Sequence, residues 1–293
     1  MALLEATNLV KSYAGRTVVN GVSFHVDTGE IVGLLGRNGA GKTTSFRIVI
    51  GMIDMDNAGG GGRSGSVRFD GRDVSRLPMY RHARLGMGYL SQEPSVFQRL
   101  TVRENLLAIL ETRPLSRRQR RQRADQLLDQ FGLKHKARDQ ARTCSGGERR
   151  RLEIARALVT EPKLILLDEP FSGVDPLAVE DLQKEIRRLT DMGIAILITD
   201  HNVQQTLRVC DRAYIINEGK VLREGTPREL INDEMVRRSY LGSLFRGDEF
   251  DDHPSSLRAA GPAPASSGNP PSAPSPVAPA PATASRSAGG SRP

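Results

Sequence analysis

One stretch near the N-terminus limits the folds open to this chain more than any other feature. Residues 36–43 read Gly-Arg-Asn-Gly-Ala-Gly-Lys-Thr and fit the phosphate-binding pattern G-x-x-x-x-G-K-[ST]. Residues 30–35 before it are mostly apolar and predict a buried strand, whereas residues 44–50 can continue as a helix. A strand, a glycine loop and a helix in this order predict an α/β fold with a phosphate site.

The residue types in this loop suit phosphate chemistry. Gly36, Gly39 and Gly41 allow a tight turn that points backbone N–H groups inward, and the helix N-terminus adds partial positive charge. Lys42 offers a point charge to the β- and γ-phosphates, and the Thr43 hydroxyl can bind Mg²⁺. The alternative is a glycine-rich turn with a surface lysine, but the flanking strand and helix argue against it.

Composition sets broader bounds. The 293 residues can form one large domain with a tail, or two small domains. The formal net charge of +8 is compatible with nucleic acid, anionic lipid or nucleotide phosphates and decides nothing alone. The two cysteines do not suggest a disulfide framework, and the five histidines lack metal-ligand spacing. Since there is no apolar run of about 18 residues and no secretory signal, we expect a cytosolic protein.

Two acidic side chains follow a second apolar run. Residues 163–167 predict a buried strand that ends at Asp168 and Glu169. Downstream of a phosphate loop, such a strand supplies the carboxylate that holds Mg²⁺, a role that fits Asp168. Glu169 can orient or deprotonate an attacking water. The alternative is an acidic turn after a core strand.

A second helix start carries paired glycines. Ser145 and Glu148 form the spacing of a capping box, so the simplest interpretation is a well-capped helix. Gly146 and Gly147 at that N-terminus also make a second candidate anion site.

Three further polar or aromatic residues lie near predicted strand ends. Tyr13 is a candidate for stacking on a flat base, although an edge-strand aromatic is the simpler interpretation. Residues 88–93 predict a strand that ends near Gln92. His201 follows the apolar strand predicted at residues 193–199, at the sheet edge where α/β folds bind ligands.

Other segments are defined by composition. A helical pattern runs from about 102 to 157 and includes five arginines between 117 and 123, which we interpret as a solvated face, with lipid or nucleic-acid contact as the alternative. Residues 57–66 predict a flexible glycine loop, and residues 213–224 predict two strands around a turn. A Pro-, Ala- and Ser-rich segment, 247–293, predicts a disordered tail.

Together these motifs resemble the nucleotide-binding subunit of an ABC transporter over about residues 3–246. The resemblance implies an α/β P-loop NTPase core with an N-terminal antiparallel β-subdomain and an inserted α-helical subdomain at about 98–157. Asp175 would lie at a dimer interface, and Cys144 stands where the family usually has leucine. By this resemblance, Tyr13 would stack on adenine, and the ATP phosphates would be bound by Gly36, Arg37, Asn38, Gly39, Ala40, Gly41, Lys42, Thr43 and Thr44. Mg²⁺ would be bound by Thr43, Gln92 and Asp168, and catalysis would involve Glu169 as base, His201 as γ-phosphate switch and Gln92. The other protomer's ATP would be bound by Ser145, Gly146 and Gly147.

A narrower resemblance is to the ATPases that power lipopolysaccharide export. It is carried by residues 88–97, 147–151, 168–176, 199–203 and 237–242. It implies a homodimer on the cytoplasmic face of the inner membrane, with two membrane-spanning subunits docked near Gln92–Phe97 and no nucleic-acid partner. Phe97 would line the docking groove, and core packing is the alternative for its ring.

Two other functions remain open on the sequence. An ATPase of another ABC transporter, such as a branched-chain amino-acid importer, would look alike over most of the core. A soluble ABC ATPase acting on ribosomes or DNA is favoured by the arginine-rich helix. Such proteins usually carry two cores or a long coiled-coil insertion, for which residues 102–157 are too short.

Overall fold

The computed structural model describes residues 2–56 and 65–241. The strands are β1 Ala2–Tyr13, β2 Arg16–Asp27, β3 Ile31–Gly36, β4 Ser66–Phe69, β5 Arg72–Asp73, β6 Met87–Leu90, β7 Leu164–Asp168, β8 Ala195–Thr199, β9 Arg212–Asn217 and β10 Lys220–Gly225. The α-helices are α1 Lys42–Val49, α2 Met79–Leu85, α3 Val102–Leu110, α4 Arg117–Gln130, α5 Gly146–Leu158, α6 Pro176–Asp191, α7 Val203–Val209, α8 Pro227–Asn232 and α9 Glu234–Val236. Short 3₁₀ turns lie at Lys134–Lys136 and Ala141–Thr143, and a π-helical turn lies at Arg237–Leu241.

The N-terminal strands form an antiparallel sheet in the order β2-β1-β4-β5. Strands β1 and β2 are joined at Ala14 and Gly15, whose φ angles are 46° and 81°. Two consecutive positive φ angles match the right-handed twist of a two-residue hairpin. Tyr13 pairs with Arg16 directly beside this turn.

The second sheet has the order β10-β9-β3-β8-β7-β6. Strands β9, β3, β8, β7 and β6 run parallel, and β10 pairs antiparallel with β9. Every residue of β3, β7 and β8 is buried. Their continuous apolar sequences arise because a parallel sheet is covered on both faces.

This topology places the phosphate loop at the middle of the sheet. Strand β3 lies between β9 and β8, and its carboxyl end leads into the loop and then α1. The carboxyl ends of β7 and β8 lie at the same edge, since Asp168 pairs with Thr199 in register. Ligands bind at this edge in open α/β sheets.

Helices α3, α4 and α5 pack around an apolar cluster that includes Leu106, Leu127 and Leu152. Each begins with a capping box, in which a Ser or Thr side chain accepts from the N3 backbone and the N3 Glu or Gln side chain accepts from the N-cap N–H. The capping box predicted at Ser145 is confirmed. Arg117, Arg118 and Arg121 of α4 are exposed, as expected for a solvated face.

The predicted elements are present with changed boundaries. Strand β6 ends at Leu90, so Gln92 lies in the loop that follows and not on the strand. Near the C-terminal end of the described residues, α8 ends at Asn232 and Asp233 caps the next helix, α9. Most of the predicted glycine loop (57–64) and the predicted tail lie outside the described residues. Within residues 2–56 and 65–241, no helix is long and apolar enough to cross a bilayer.

Candidate nucleotide site

The phosphate loop is held by glycine conformations and by its own lysine. Gly39 and Gly41 have φ angles of 81° and 104°, and an added Cβ at Gly41 would lie 2.6 Å from the Val18 carbonyl oxygen. The Lys42 Nζ donates to the carbonyl oxygens of Gly36 at 2.7 Å and Arg37 at 3.1 Å. The loop therefore presents a preformed concave backbone.

Lys42 is only 6% exposed, at the start of α1. Burial lowers the pKa of its ammonium group, and the negative charges of Glu169, Asp200 and Asp168 oppose that shift. The three carboxylates and the lysine thus share one electrostatic environment. A bound polyphosphate would give the ammonium an additional anionic partner.

The Asp168 carboxylate is fixed by two hydroxyl groups. Thr199 Oγ1 donates to Asp168 Oδ1 at 2.8 Å, and Tyr89 Oη donates to Asp168 Oδ2 at 3.3 Å. Burial, with the charge of Asp168, raises the pKa of Tyr89 to about 12. Tyr89 therefore remains a donor at neutral pH and holds the carboxylate in one orientation.

Glu169 leaves the sheet in an unusual backbone conformation. Its φ angle is 45°, in the left-handed region that side chains other than glycine rarely adopt, and its N–H donates to the Thr199 carbonyl at 2.7 Å. His201 Nδ1 lies 3.4 Å from Glu169 Oε2 and 3.5 Å from Asp200 Oδ1. A strained backbone conformation like that of Glu169 is typical of functional sites.

A buried carboxylate, Asp200, holds the loop that carries His201. Asp200 is fully buried and accepts from the Phe171 N–H at 2.9 Å and the Asn202 N–H at 2.8 Å. It thereby ties the residues after Glu169 to those around His201. The sequence placed Asp200 beside His201 but gave it no role of its own.

The paired glycines at the start of α5 line a cleft whose lining includes no residue of the phosphate loop. Ser145, Gly146 and Gly147 are exposed and line a cleft of about 770 Å³ that Gln92 and Glu169 also line. A Cβ added at Gly146 or Gly147 would meet nothing within 4 Å, and neither glycine has a positive φ. Among the residues that the structure describes, none packs against either position closely enough to require glycine.

Comparison with known proteins identifies the family. The ABC transporter family profile matches residues 19–172. The chain is 53% identical to the lipopolysaccharide export system ATP-binding protein LptB of Haemophilus influenzae and 52% identical to LptB of Escherichia coli K12; each match spans 84% of this chain and all of the relative. The chain belongs to the ABC transporter ATP-binding family. It is a nucleotide-binding ATPase subunit of an ABC transporter.

Solved structures agree with this fold. The ATP-binding cassette MJ1267 in its ADP conformation has a TM-score of 0.72 and 28% identity, covering 83% of this chain and 99% of that chain. A nucleotide-free cassette from an ABC transporter gives the same TM-score and identity, covering 83% of this chain and all of that chain. The predicted α/β ABC ATPase fold with its N-terminal antiparallel sheet is confirmed.

The remaining candidate residues of this ABC ATPase differ in their exposure. Tyr13 is 47% exposed at the hairpin tip, with Lys11 Nζ 5.6 Å from its ring centroid. Arg37, Asn38 and Gly39 are exposed; Ala40 is buried, and Thr43 and Thr44 are half-buried. Cys144 is buried, and burial raises the pKa of its thiol, so it packs as a small apolar residue.

Two supporting residues of the ABC ATPase were missed from the sequence. Thr199 and Tyr89 hold Asp168 but lie 31 and 79 residues from it along the chain. The alignment of Asp168 with Thr199 follows from the pairing of β7 with β8. Once the order of the strands is known, aligning the ends of β7 and β8 in the sequence predicts that Thr199 lies beside Asp168.

Proposed function

We propose that this ABC ATPase powers export of lipopolysaccharide from the inner membrane, as a homodimer peripheral to the cytoplasmic face. The observation that supports this most is the identity of 52–53% to LptB proteins across their whole length. Such coverage leaves no part of those relatives without a counterpart here.

In the proposed reaction, the loop from Gly36 to Thr44 binds the ATP phosphates and Tyr13 stacks on adenine. Lys42 Nζ keeps its bond to the Gly36 carbonyl and directs its remaining N–H donors to phosphate oxygens. Glu169, with its backbone fixed by Thr199, positions and deprotonates the attacking water, and His201 contacts the γ-phosphate. Charge developing on the phosphate is stabilised by donors that are already oriented.

The donor set beside the loop fits Mg²⁺. Asp168 offers an oriented carboxylate, and Thr43 and Gln92 offer a hydroxyl and an amide oxygen. Magnesium at nucleotide sites needs only one or two carboxylates, because phosphates and waters complete its shell. When bound, the ion neutralises phosphate charge. Tyr89 and Thr199 would keep Asp168 aligned for it.

The exposed glycines at the start of α5 support the proposed dimer. Gly146 and Gly147 are the first two residues of α5, where backbone N–H groups have no acceptor within the helix, and glycine there allows close approach by a ligand from outside the chain. We propose that they bind the ATP held by a second copy. Asp175 would lie at the same interface. ATP would then hold the dimer closed until hydrolysis.

The loop after Gln92 supports the proposed docking of two membrane-spanning subunits. Phe97 is 44% exposed, so its ring is not part of the helical core, and Arg156 stacks on it at 4.5 Å from the ring centroid. The Phe97 N–H donates to Asn105 Oδ1 at 2.8 Å, and Ser95 N–H donates to Glu153 Oε1 at 2.8 Å. An exposed aromatic on a fixed backbone suits an interface anchor.

The test has two parts. Glu169→Gln should bind Mg-ATP, lower turnover at least about 100-fold and accumulate as a dimer on ATP. Turnover near the parent rate would remove Glu169 from the role of base. Lys42→Ala serves as the matched variant that should lose ATP affinity instead.

The cargo assignment is tested by purifying tagged Glu169→Gln protein from gently solubilised native membranes. Two lipopolysaccharide-export membrane subunits should copurify. A different permease pair would keep the ATPase mechanism and contradict the cargo. Ribosomal or DNA-bound partners without a membrane protein would contradict the docking proposal as well.

A further inference from the structure

The C-terminal π-helical turn makes a direct contact with the phosphate loop. The N–H of Gly36, the first loop glycine, donates to the Tyr240 hydroxyl oxygen at 2.9 Å. Pairing of β3 with β8 ends at Leu34, whereas pairing with β9 continues to Gly36. Tyr240 therefore supplies a hydrogen-bond acceptor where the strand gives way to the loop.

Gly36 is also held by its other neighbours. An added Cβ would clash with the Ile216 carbonyl oxygen, so β9 packs directly against this residue. The Gly36 carbonyl accepts from Lys42 Nζ at 2.7 Å. Gly36 thus links two side chains. Its N–H contacts Tyr240, and its carbonyl contacts the Lys42 ammonium group that we propose binds phosphate.

Tyr240 is anchored well enough to act as a fixed support. It packs against an apolar cluster that includes Leu35, Ile215 and Val236, from β3, β9 and α9. Burial raises the pKa of its hydroxyl, and Asp200 adds to the shift. The hydroxyl thus stays neutral at physiological pH and can accept the Gly36 N–H while remaining protonated.

We propose that Tyr240 is a positioning residue for ATP binding. It fixes the backbone of Gly36 and so sets where the Lys42 ammonium lies relative to the phosphates. Tyr240 itself would not touch the nucleotide. This inference rests on the proposed role of Lys42 in phosphate binding.

The test is a double-mutant cycle in the full-length chain carrying Glu169→Gln, which we expect to slow turnover enough for binding to be measured. Mg-ATP affinity is measured by calorimetry for Tyr240→Phe, Lys42→Ala and both together. We expect Tyr240→Phe to weaken binding about fivefold, the effect of one hydrogen bond of ordinary strength. In the Lys42→Ala background its effect should fall below about twofold, because the residue through which it acts is gone.

Each outcome has a distinct meaning. Tyr240→Phe with parent affinity, or an equal fold-loss with and without Lys42, overturns the positioning role. Lys42→Ala with parent affinity contradicts the proposed phosphate site itself, whereas a loss at Lys42 alone leaves that site intact and refutes only the role of Tyr240. Tyr80→Phe is the matched control, since its ring is 55% exposed on α2 and should leave affinity unchanged.

Thermal unfolding without nucleotide distinguishes the proposed positioning role of Tyr240 from a purely structural one. Phe keeps the packed ring, so we expect a folded protein with a midpoint near that of the parent. A variant that fails to fold, or that unfolds earlier with parent affinity for Mg-ATP, would show that Tyr240 only stabilises the fold and would overturn the proposal.

Discussion

Gly147→Ala should make the chain more stable and less active at the same time. Gly147 is the second residue of α5, its φ angle is not positive, and an added methyl would meet nothing within 4 Å. Replacing glycine by alanine in a helix is favourable by up to about 1 kcal/mol. For a chain of this size, that gain raises the midpoint of thermal unfolding by about 2–4 °C.

Activity should change in the opposite direction if Gly147 meets the partner's nucleotide. The added methyl would lie where the proposed dimer brings a phosphate against the helix N-terminus. A displacement of about 1 Å at a reacting group costs about 100-fold in rate. We therefore expect steady-state ATPase activity to fall by that order, while Mg-ATP binding to the monomer stays unchanged.

The assay pairs calorimetric unfolding with ATP turnover at saturating Mg-ATP. Gly39→Ala is the contrasting control: its surroundings are equally open, but its φ of 81° should make alanine destabilising by about 1–2 kcal/mol. Gly147→Ala with parent turnover would refute the proposed contact across the dimer. A lower unfolding midpoint would refute the helix argument.

Two other predictions concern buried ionisable side chains. Glu153→Ala should lower the free energy of unfolding by about 3 kcal/mol, because its carboxylate, only 6% exposed, accepts from the Ser95 N–H and pairs with Arg150. The control Asp181→Ala removes an exposed ion pair and should cost under about 1 kcal/mol. Equal unfolding curves for the two variants would contradict this prediction. His82 is 1% exposed, and burial lowers its pKa, so as pH falls the unfolded state binds a proton at this residue before the folded state does. The free energy of unfolding should therefore fall by up to about 1.4 kcal/mol per pH unit as pH drops below about 6.5. His82→Gln should flatten that slope when the free energy is measured by urea titration.

Much of the fold follows from local patterns in the sequence. The apolar runs ending at Gly36, Asp168 and Thr199 predict buried strands because a covered parallel sheet excludes polar residues. The capping box at Ser145 lies within four residues, so it too is readable directly. These features depend on neighbours along the chain.

The contacts that orient the site could not be predicted in the same way. Gly36 and Tyr240 are separated by 204 residues, and Ser95 and Glu153 by 58. Each contact depends on how two elements pack, which no local pattern records. The left-handed conformation of Glu169 was likewise hidden, because an acidic residue carries no conformational signal of the kind that glycine carries.

The parallel sheet explains why motifs scattered along the chain act together. Gly36, Asp168 and Thr199 end three adjacent strands, so β-pairing alone brings the phosphate loop, its carboxylate and its support to one edge. The α5 glycines are different, because within the described part of the chain a Cβ at either position would meet nothing within 4 Å. A partner that approaches the helix N-terminus closely would account for glycine at both positions. This reasoning leads from the monomer to the proposed dimer, and Gly147→Ala tests it without disturbing the sheet.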